Sequence, residues 1–222
     1  PGATGDNIPL SARLTGPCDT AALTAAIGDV VARHDSLRTT FTEIDGLPHQ
    51  VINAPAPVQV TELQCPETDP GAVTAWTKAR LDEQRAIAFN LERDWPIRAA
   101  LLHLPGDERV LSLVVHHIAA DGWSLRPLAA DLGVAYAARC AGQAPDWPPL
   151  PVQYVDYTLW QRAQFGALDD TGSRVAAQLA YWEDALAALP ERIELPTDLP
   201  YPLIADLAGA TVPVDWPTEL HE

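Results

Sequence analysis

The sequence predicts an α/β fold in which helices cover a mixed β-sheet. Two segments, 97–104 and 109–115, are nearly unbroken apolar runs of the kind that form buried strands. Strand-like segments alternate along the chain with segments whose apolar residues recur at helical spacing, which is typical of a layered α/β sandwich. With 222 residues, 47% of them hydrophobic, the chain is long enough for one large domain or for one domain and part of a second.

The first part of the chain predicts a strand, a helix, a hairpin and a further strand. Asp19 is the predicted N-cap of an Ala-rich helix that continues to His34. The dipeptide Asp45-Gly46 is the strongest short turn signal in the sequence, and it predicts the hairpin. The two predicted strands are 8–14 and 58–63, and the arms of the hairpin between them are 37–43 and 48–52.

The rest of the chain predicts a helix before the two apolar strands and three helices after them. Trp76 and Leu81, on the first of these helices, are expected in the core. The Pro-rich segment 145–151 is the clearest boundary, because proline interrupts regular structure. The predicted helices are 69–88, 123–141, 154–165 and 173–189, and a proline-punctuated tail follows.

The most informative segment reads VVHHIAADGWS, from Val114 to Ser124, and it ends the second apolar strand. Because successive side chains of a strand point to opposite faces, the two histidines cannot both face one substrate. His117 lies nearer the turn and is the candidate for chemistry, while His116 is expected to be buried and hydrogen-bonded. The same alternation disfavours a metal site, since neighbouring histidines on opposite faces chelate poorly and no Cys or Glu lies at ligand spacing.

The turn after the histidines has its own expected roles. Gly122 either lets the backbone approach a substrate channel or adopts positive φ. Asp121 is expected to hold the turn, and Arg38 is the candidate ion-pair partner because guanidinium and carboxylate match in geometry. Ser124 is expected to cap the following helix, and Trp123 to pack beneath the turn.

Three ordered segments carry a family resemblance. His116 to Gly122 resembles the HHxxxDG motif of condensation domains in nonribosomal peptide synthetases. Arg33 to Phe41 resembles the RHExLRTxF block of that family, with Asp35 where Glu is usual, and Tyr154 to Trp160 resembles its YxDYxxW block. A lone HxxxDG is also found in chloramphenicol acetyltransferase and related acyltransferases, but the three blocks in this order are specific to condensation domains.

The resemblance implies a chloramphenicol-acetyltransferase-like sandwich that forms part of a two-lobed pseudo-dimer. Residues 1–150 are expected to form the N-terminal lobe with the His motif. Residues 151–222 are expected to hold the inter-lobe helices and the incomplete beginning of the C-terminal lobe. The family's first block and the second half of its fold are absent from the sequence, so the chain is expected to carry only half of the active-site tunnel and to be inactive by itself.

The resemblance also implies amide-bond formation between two substrates tethered by phosphopantetheine to carrier proteins. The expected partners are the upstream and downstream peptidyl carrier proteins and an adjacent adenylation domain, and no cofactor is expected to bind the domain itself. An imidazole, with an ordinary pKa of about 6.5, can accept a proton or orient an amine near neutral pH. Both roles stay open for His117, and the identity of donor and acceptor is not encoded in any recognisable segment.

Composition excludes some classes of partner. The formal net charge of −16 opposes binding to nucleic acid or to an anionic membrane. No apolar stretch reaches the roughly eighteen residues that a membrane span needs. Three widely spaced cysteines, Cys18, Cys65 and Cys140, fit free thiols in a reducing compartment, so a cytoplasmic location is expected.

Two alternative functions stay open within the same fold. The first is a non-catalytic docking domain that recruits other enzymes to a synthetase. The intact His116 and His117 favour an enzyme over this alternative. The second is epimerisation of a carrier-bound residue. The order Asp-Gly-Trp-Ser resembles peptide-bond-forming members of the family more than epimerising ones. Within the family, the residues Ile118-Ala119-Ala120 inside the motif, and Pro127 after it, resemble those of members that take a D-configured donor.

Overall fold

The fold is described by a computed structural model that covers residues 4–190, 193, 196–200, 203 and 212–220. Six strands and five helices form in this part of the chain. The strands are β1 (Asn7–Leu14), β2 (Thr39–Ile44), β3 (Leu47–Ile52), β4 (Val60–Gln64), β5 (Ile97–His103) and β6 (Arg109–His116). The helices are α1 (Thr20–Arg33), α2 (Pro70–Ala86), α3 (Leu125–Cys140), α4 (Tyr154–Phe165) and α5 (Arg174–Leu186).

Four strands form a mixed sheet in the order β1-β6-β5-β4. Strand β6 is antiparallel to both of its neighbours, and β4 runs parallel to β5. Strands β2 and β3 form a separate antiparallel hairpin whose turn holds Asp45 and Gly46 at positive φ, 51° and 77°. Two consecutive left-handed residues match the twist of a tight hairpin, so the Asp-Gly prediction is confirmed.

The sheet is covered on both faces. Alternate residues of β5 and β6, such as Leu101 and Leu113, pack against α1 and α3. The residues between them, such as Leu102 and Val110, pack against α2, where Trp76 is partly buried as expected. Because β5 and β6 lie between two helical layers, both of their faces are apolar, and this explains the unbroken apolar runs in the sequence.

Polar contacts fasten α1 to α3 at two points. Arg139 donates two hydrogen bonds to Asp29, at 2.7 and 2.6 Å. At the end of α1, its last residue Arg33 and the following His34 both bond the same carboxylate oxygen of Asp131, at 2.9 and 2.7 Å. His34 therefore helps to fasten the end of α1 to α3.

The predicted elements are confirmed, and several of their ends are shifted by two or three residues. Strand β4 begins at Val60 and not at 58, directly after a segment with prolines at 55 and 57, which lack the N–H that a strand ladder uses. Helix α3 begins at Leu125 and not at 123, because the preceding residues form a closed turn.

The Pro-rich segment has no regular secondary structure between residues 144 and 150. It is nevertheless held against the first helix, because Arg33 donates to the carbonyl oxygen of Pro148 at 2.8 Å and its guanidinium lies 4.7 Å from the Trp147 ring centre. Helices α4 and α5 follow it and carry several exposed aromatic side chains. The end of the predicted second-lobe segment, 204–211 and 221–222, lies outside the described residues.

Candidate active site

The end of β6 is held from both sides by backbone hydrogen bonds. The His116 N–H donates to the Pro96 carbonyl at 2.9 Å, and the His117 N–H donates to the Asp6 carbonyl at 2.8 Å. Val115, the preceding residue, is completely buried. The strand end is therefore fixed in the sheet, and the His117 side chain is exposed directly beyond it.

His116 is hydrogen-bonded, as expected, but it is half-buried and not fully buried. Its Nδ1 accepts from the Ile118 N–H at 3.0 Å, and its ring meets the buried Phe89 edge-on with 5.8 Å between ring centres. Burial lowers the pKa of His116 below its ordinary value, nearby Asp6 opposes this shift, and His117 adds to it. Because a backbone N–H can only donate, the neutral ring of His116 carries its proton on Nε2.

Asp121 and Ser124 close the turn on themselves. The Asp121 Oδ1 accepts from the Ser124 N–H at 2.9 Å and from the Ser124 hydroxyl at 2.7 Å. The Ser124 Oγ accepts in turn from the Asp121 N–H at 3.1 Å. Hydrogen bonds from Ser124, the side-chain bond first, lower the pKa of the Asp121 carboxyl. Asp121 thus holds the turn, as expected, but with a different partner.

The expected ion pair between Arg38 and Asp121 is wrong. Arg38 pairs with Asp35 and also donates to the carbonyl oxygen of Asn53. Residues Asp35–Arg38 form a short 3-10 helix, in which side chains three positions apart lie one above the other. The local carboxylate therefore binds Arg38, and it occupies the position where the family block usually has Glu.

Three further expectations for the turn are corrected. The backbone of Gly122 does not adopt positive φ, so that one of its two expected roles is wrong, and a Cβ added there would meet no atom within 4 Å. Trp123 is 90% exposed and does not pack beneath the turn. Ser124 occupies the N-cap of α3 without a side-chain capping bond, because Asp121 already engages its hydroxyl.

A cavity of about 200 Å³ lies on the α1 side of the motif loop. Ala119, Ala120 and Ser124 line it from the loop, and His34 and Ser36 line it from the end of α1. A larger, mostly apolar cavity of about 430 Å³ lies toward the other end of β1, next to Tyr136. The pKa of Tyr136 is raised to about 12, chiefly by burial. The larger cavity includes no residue of the His motif.

The residue pattern missed two groups that support the His motif. Asn7 is buried at the start of β1, and Phe89 is buried in the connection between α2 and β5. Both are brought to His116 from distant parts of the chain. The only available signal was Asn7, a polar residue at the start of the largely apolar β1. Polar residues at strand starts are common on protein surfaces, so this one did not indicate a buried contact.

Among the residues that the structure describes, no group of three or more His, Cys, Asp or Glu side chains is placed to hold a metal ion. Of the helices that the described ranges contain, none combines the length and the apolar character that crossing a bilayer requires.

The exposed imidazole at the end of β6 and the closed Asp-Gly turn beside it lie in an acyltransferase-type domain, as the family match shows. The chain belongs to the condensation-domain family, whose model matches residues 1–222. It is 53% identical over 97% of its length to an isonitrile lipopeptide synthase of Mycobacterium tuberculosis. It is 44% identical over 97% of its length to a dimodular nonribosomal peptide synthase of Bacillus subtilis. The chain spans only 8% and 9% of these two relatives.

Solved structures show the same fold. The X-domain from teicoplanin biosynthesis is 38% identical with a TM-score of 0.80, and the match covers 90% of this chain and 43% of that one. The epimerization domain from the third module of tyrocidine synthetase B is 20% identical with a TM-score of 0.70, which speaks for the fold alone. The expected chloramphenicol-acetyltransferase-like architecture of mixed sheet and covering helices is confirmed.

Proposed function

We propose that this domain catalyses peptide-bond formation between two carrier-bound substrates, with His117 acting on the attacking amine. The amine nitrogen of the aminoacyl acceptor attacks the thioester carbonyl of the aminoacyl or peptidyl donor. The new C–N bond replaces the C–S bond, the donor pantetheine leaves as a thiol, and the proton lost by the amine passes to that thiol. His117 either relays this proton or orients the amine by hydrogen bonding.

The exposed side chain of His117 is the observation that carries the proposal. Its backbone is fixed by the bond to Asp6, and its neighbour His116 is engaged by Ile118 and Phe89, so only one imidazole of the pair is free to meet a substrate. The closed Asp121–Ser124 turn limits the motion of the loop that carries it. This arrangement supplies a positioned base on a rigid element.

The decisive test is His117→Ala in the synthetase that carries this chain, with both carrier proteins loaded. Removal of a general base costs about 10²–10⁴-fold, so we expect the rate of condensation to fall by that range. Intact-protein mass spectrometry of the carriers measures the extended peptidyl product directly. The matched control is His49→Ala, which removes another exposed histidine from β3 and leaves the rate unchanged. Wild-type rates with His117→Ala for all acceptors would overturn the proposal.

The partners and substrates belong to the same proposal. The domain is expected to receive its substrates on phosphopantetheine arms of the upstream and downstream carrier proteins, next to an adenylation domain. The free thiols of Cys18, Cys65 and Cys140 support a reducing, cytoplasmic setting. Residues 1–150 and 151–222 are proposed as the His-bearing lobe and the start of its partner lobe.

A docking domain is the second candidate, because the X-domain at 38% identity was solved in complex with OxyB. The two candidates separate on the His117→Ala variant. If the domain only docks another enzyme, the His117→Ala variant still forms the peptide product, and any loss is confined to the step that the recruited enzyme catalyses. Epimerisation would instead introduce deuterium at the α-carbon of the carrier-bound residue in heavy water, with no gain of one residue in mass.

A further inference from the structure

Asn7 is a buried polar residue with an unsatisfied acceptor. Its side chain is 4% exposed, and its Nδ2 donates to the carbonyl oxygens of Arg85 at 2.7 Å and Ile87 at 2.9 Å. Its Oδ1 is buried and accepts no hydrogen bond. A buried acceptor without a partner is rare in folded proteins, so its place beside the motif is informative.

Asn7 lies directly opposite His116 in the antiparallel ladder. The His117 N–H bonds the Asp6 carbonyl and the His116 N–H turns to Pro96, so Asn7 and His116 form a non-hydrogen-bonded pair. In such pairs the Cα atoms are about 4.5 Å apart, and both side chains stand on the same face of the sheet. The amide of Asn7 and the imidazole of His116 are therefore immediate neighbours.

The amide also fixes the aromatic contact of His116. The Ile87 carbonyl accepts both from Asn7 and, at 2.8 Å, from Arg98. Arg98 also donates to the Ala88 carbonyl at 2.8 Å, and its guanidinium lies 3.8 Å from the centre of the Phe89 ring. Asn7 and Arg98 together hold the connection from which Phe89 meets His116.

From this geometry we infer that Asn7 is a positioning residue for the His motif. Its Nδ2 holds the connection that carries Phe89, and the negative end of its amide dipole stabilises His116 with the proton on Nε2. That tautomer leaves Nδ1 free to accept from the Ile118 N–H, which sets the start of the loop bearing His117. The effect of Asn7 on catalysis rests on the proposed function, whereas its effect on the tautomer of His116 does not.

The test is nitrogen-15 NMR of the histidine side chains in the 222-residue chain. We expect Asn7→Asp to raise the pKa of His116 by about one unit or more, because a carboxylate beside an imidazole favours its charged form. The matched control is Ser11→Asp, which adds the same charge on the same strand and face, four residues away. It is expected to shift the His116 pKa far less. Asp6 and His117 also act on this ring and are unchanged in both variants.

Asn7→Ala supplies a second measurement that does not depend on charge. The neutral His116 is expected to populate the Nδ1-protonated tautomer. In the synthetase that carries this chain, the condensation rate is expected to fall roughly tenfold. An unchanged tautomer in Asn7→Ala, or equal shifts of the His116 pKa in Asn7→Asp and Ser11→Asp, would overturn the inference. If the NMR changes occur while His117→Ala keeps full activity, the inference about the ring stands and the proposed function fails.

Discussion

His116 and His117 are neighbours in sequence, yet the fold gives them opposite surroundings. The first is packed against Phe89 and accepts a backbone hydrogen bond, and the second is exposed. The pleat of β6 produces this division, because it turns consecutive side chains to opposite faces. A residue whose pKa is lowered by burial thus supports a neighbour whose side chain is exposed.

The lowered pKa of His116 makes stability depend on pH. Below the unfolded-state pKa of about 6.5 the unfolded chain binds a proton that the folded chain resists, so stability is complete above that pH and declines as the pH falls toward the lower folded-state value. Urea unfolding at pH 7.5 and 5.5 measures this loss. His116→Asn keeps an acceptor near the Ile118 N–H and does not titrate, so the loss between the two pH values should shrink. An equal loss in His116→Asn would show that other groups cause it.

The Asp121–Ser124 turn gives a prediction that is measured at the loop itself, by amide hydrogen exchange. The carboxyl pKa of Asp121 is lowered by its bonds to Ser124, so the turn is intact above the ordinary carboxyl pKa and loosens as the pH falls through the lowered value. In Asp121→Ala we expect exchange of the Ser124 amide hydrogen to accelerate by roughly an order of magnitude, because that N–H loses its side-chain acceptor. The amide of Leu113 in β6 is the internal control, and acceleration at both sites would indicate global destabilisation instead.

At the scale of elements, stability depends on the two central strands. Leu101 of β5 is 1% exposed and lies between the sheet and α1, whereas Leu47 of β3 is 64% exposed. We expect Leu101→Ala to reduce the free energy of unfolding by about 2–5 kcal/mol, because a core cavity remains. Leu47→Ala should change it by less than about 0.5 kcal/mol. Urea denaturation compares the two variants, and similar costs would contradict the assignment of the core.

The elements were predictable from sequence because their signals are local. Apolar periodicity, the Asp19 cap and the Asp-Gly turn each lie within a few residues of what they determine. The partners of the site are different. Arg38 was paired with the wrong carboxylate because the choice depended on the short 3-10 helix, which periodicity does not reveal. Asn7 was missed because its contacts are to residues about eighty positions away.

At the scale of the whole molecule, the net charge of −16 is expected to oppose compactness. Like charges repel across the surface, and salt screens that repulsion with a Debye length of about 10 Å at 0.1 M. The urea midpoint should therefore rise when sodium chloride is increased from 10 to 200 mM. A falling midpoint would mean that the ion pairs between α1 and α3, such as Arg139 with Asp29, outweigh the general repulsion.

The backbone bond from His117 to Asp6 has a consequence for the order of events during synthesis. The site is assembled where three chain segments meet, at Asp6, Pro96 and His117, and the first and last of these are more than a hundred residues apart in sequence. A nascent chain can close helix α1 and the β2–β3 hairpin early, since their contacts are short-range. The motif loop can take its shape only after β6 has left the ribosome and returned to β1, so it forms later than α1 and the β2–β3 hairpin.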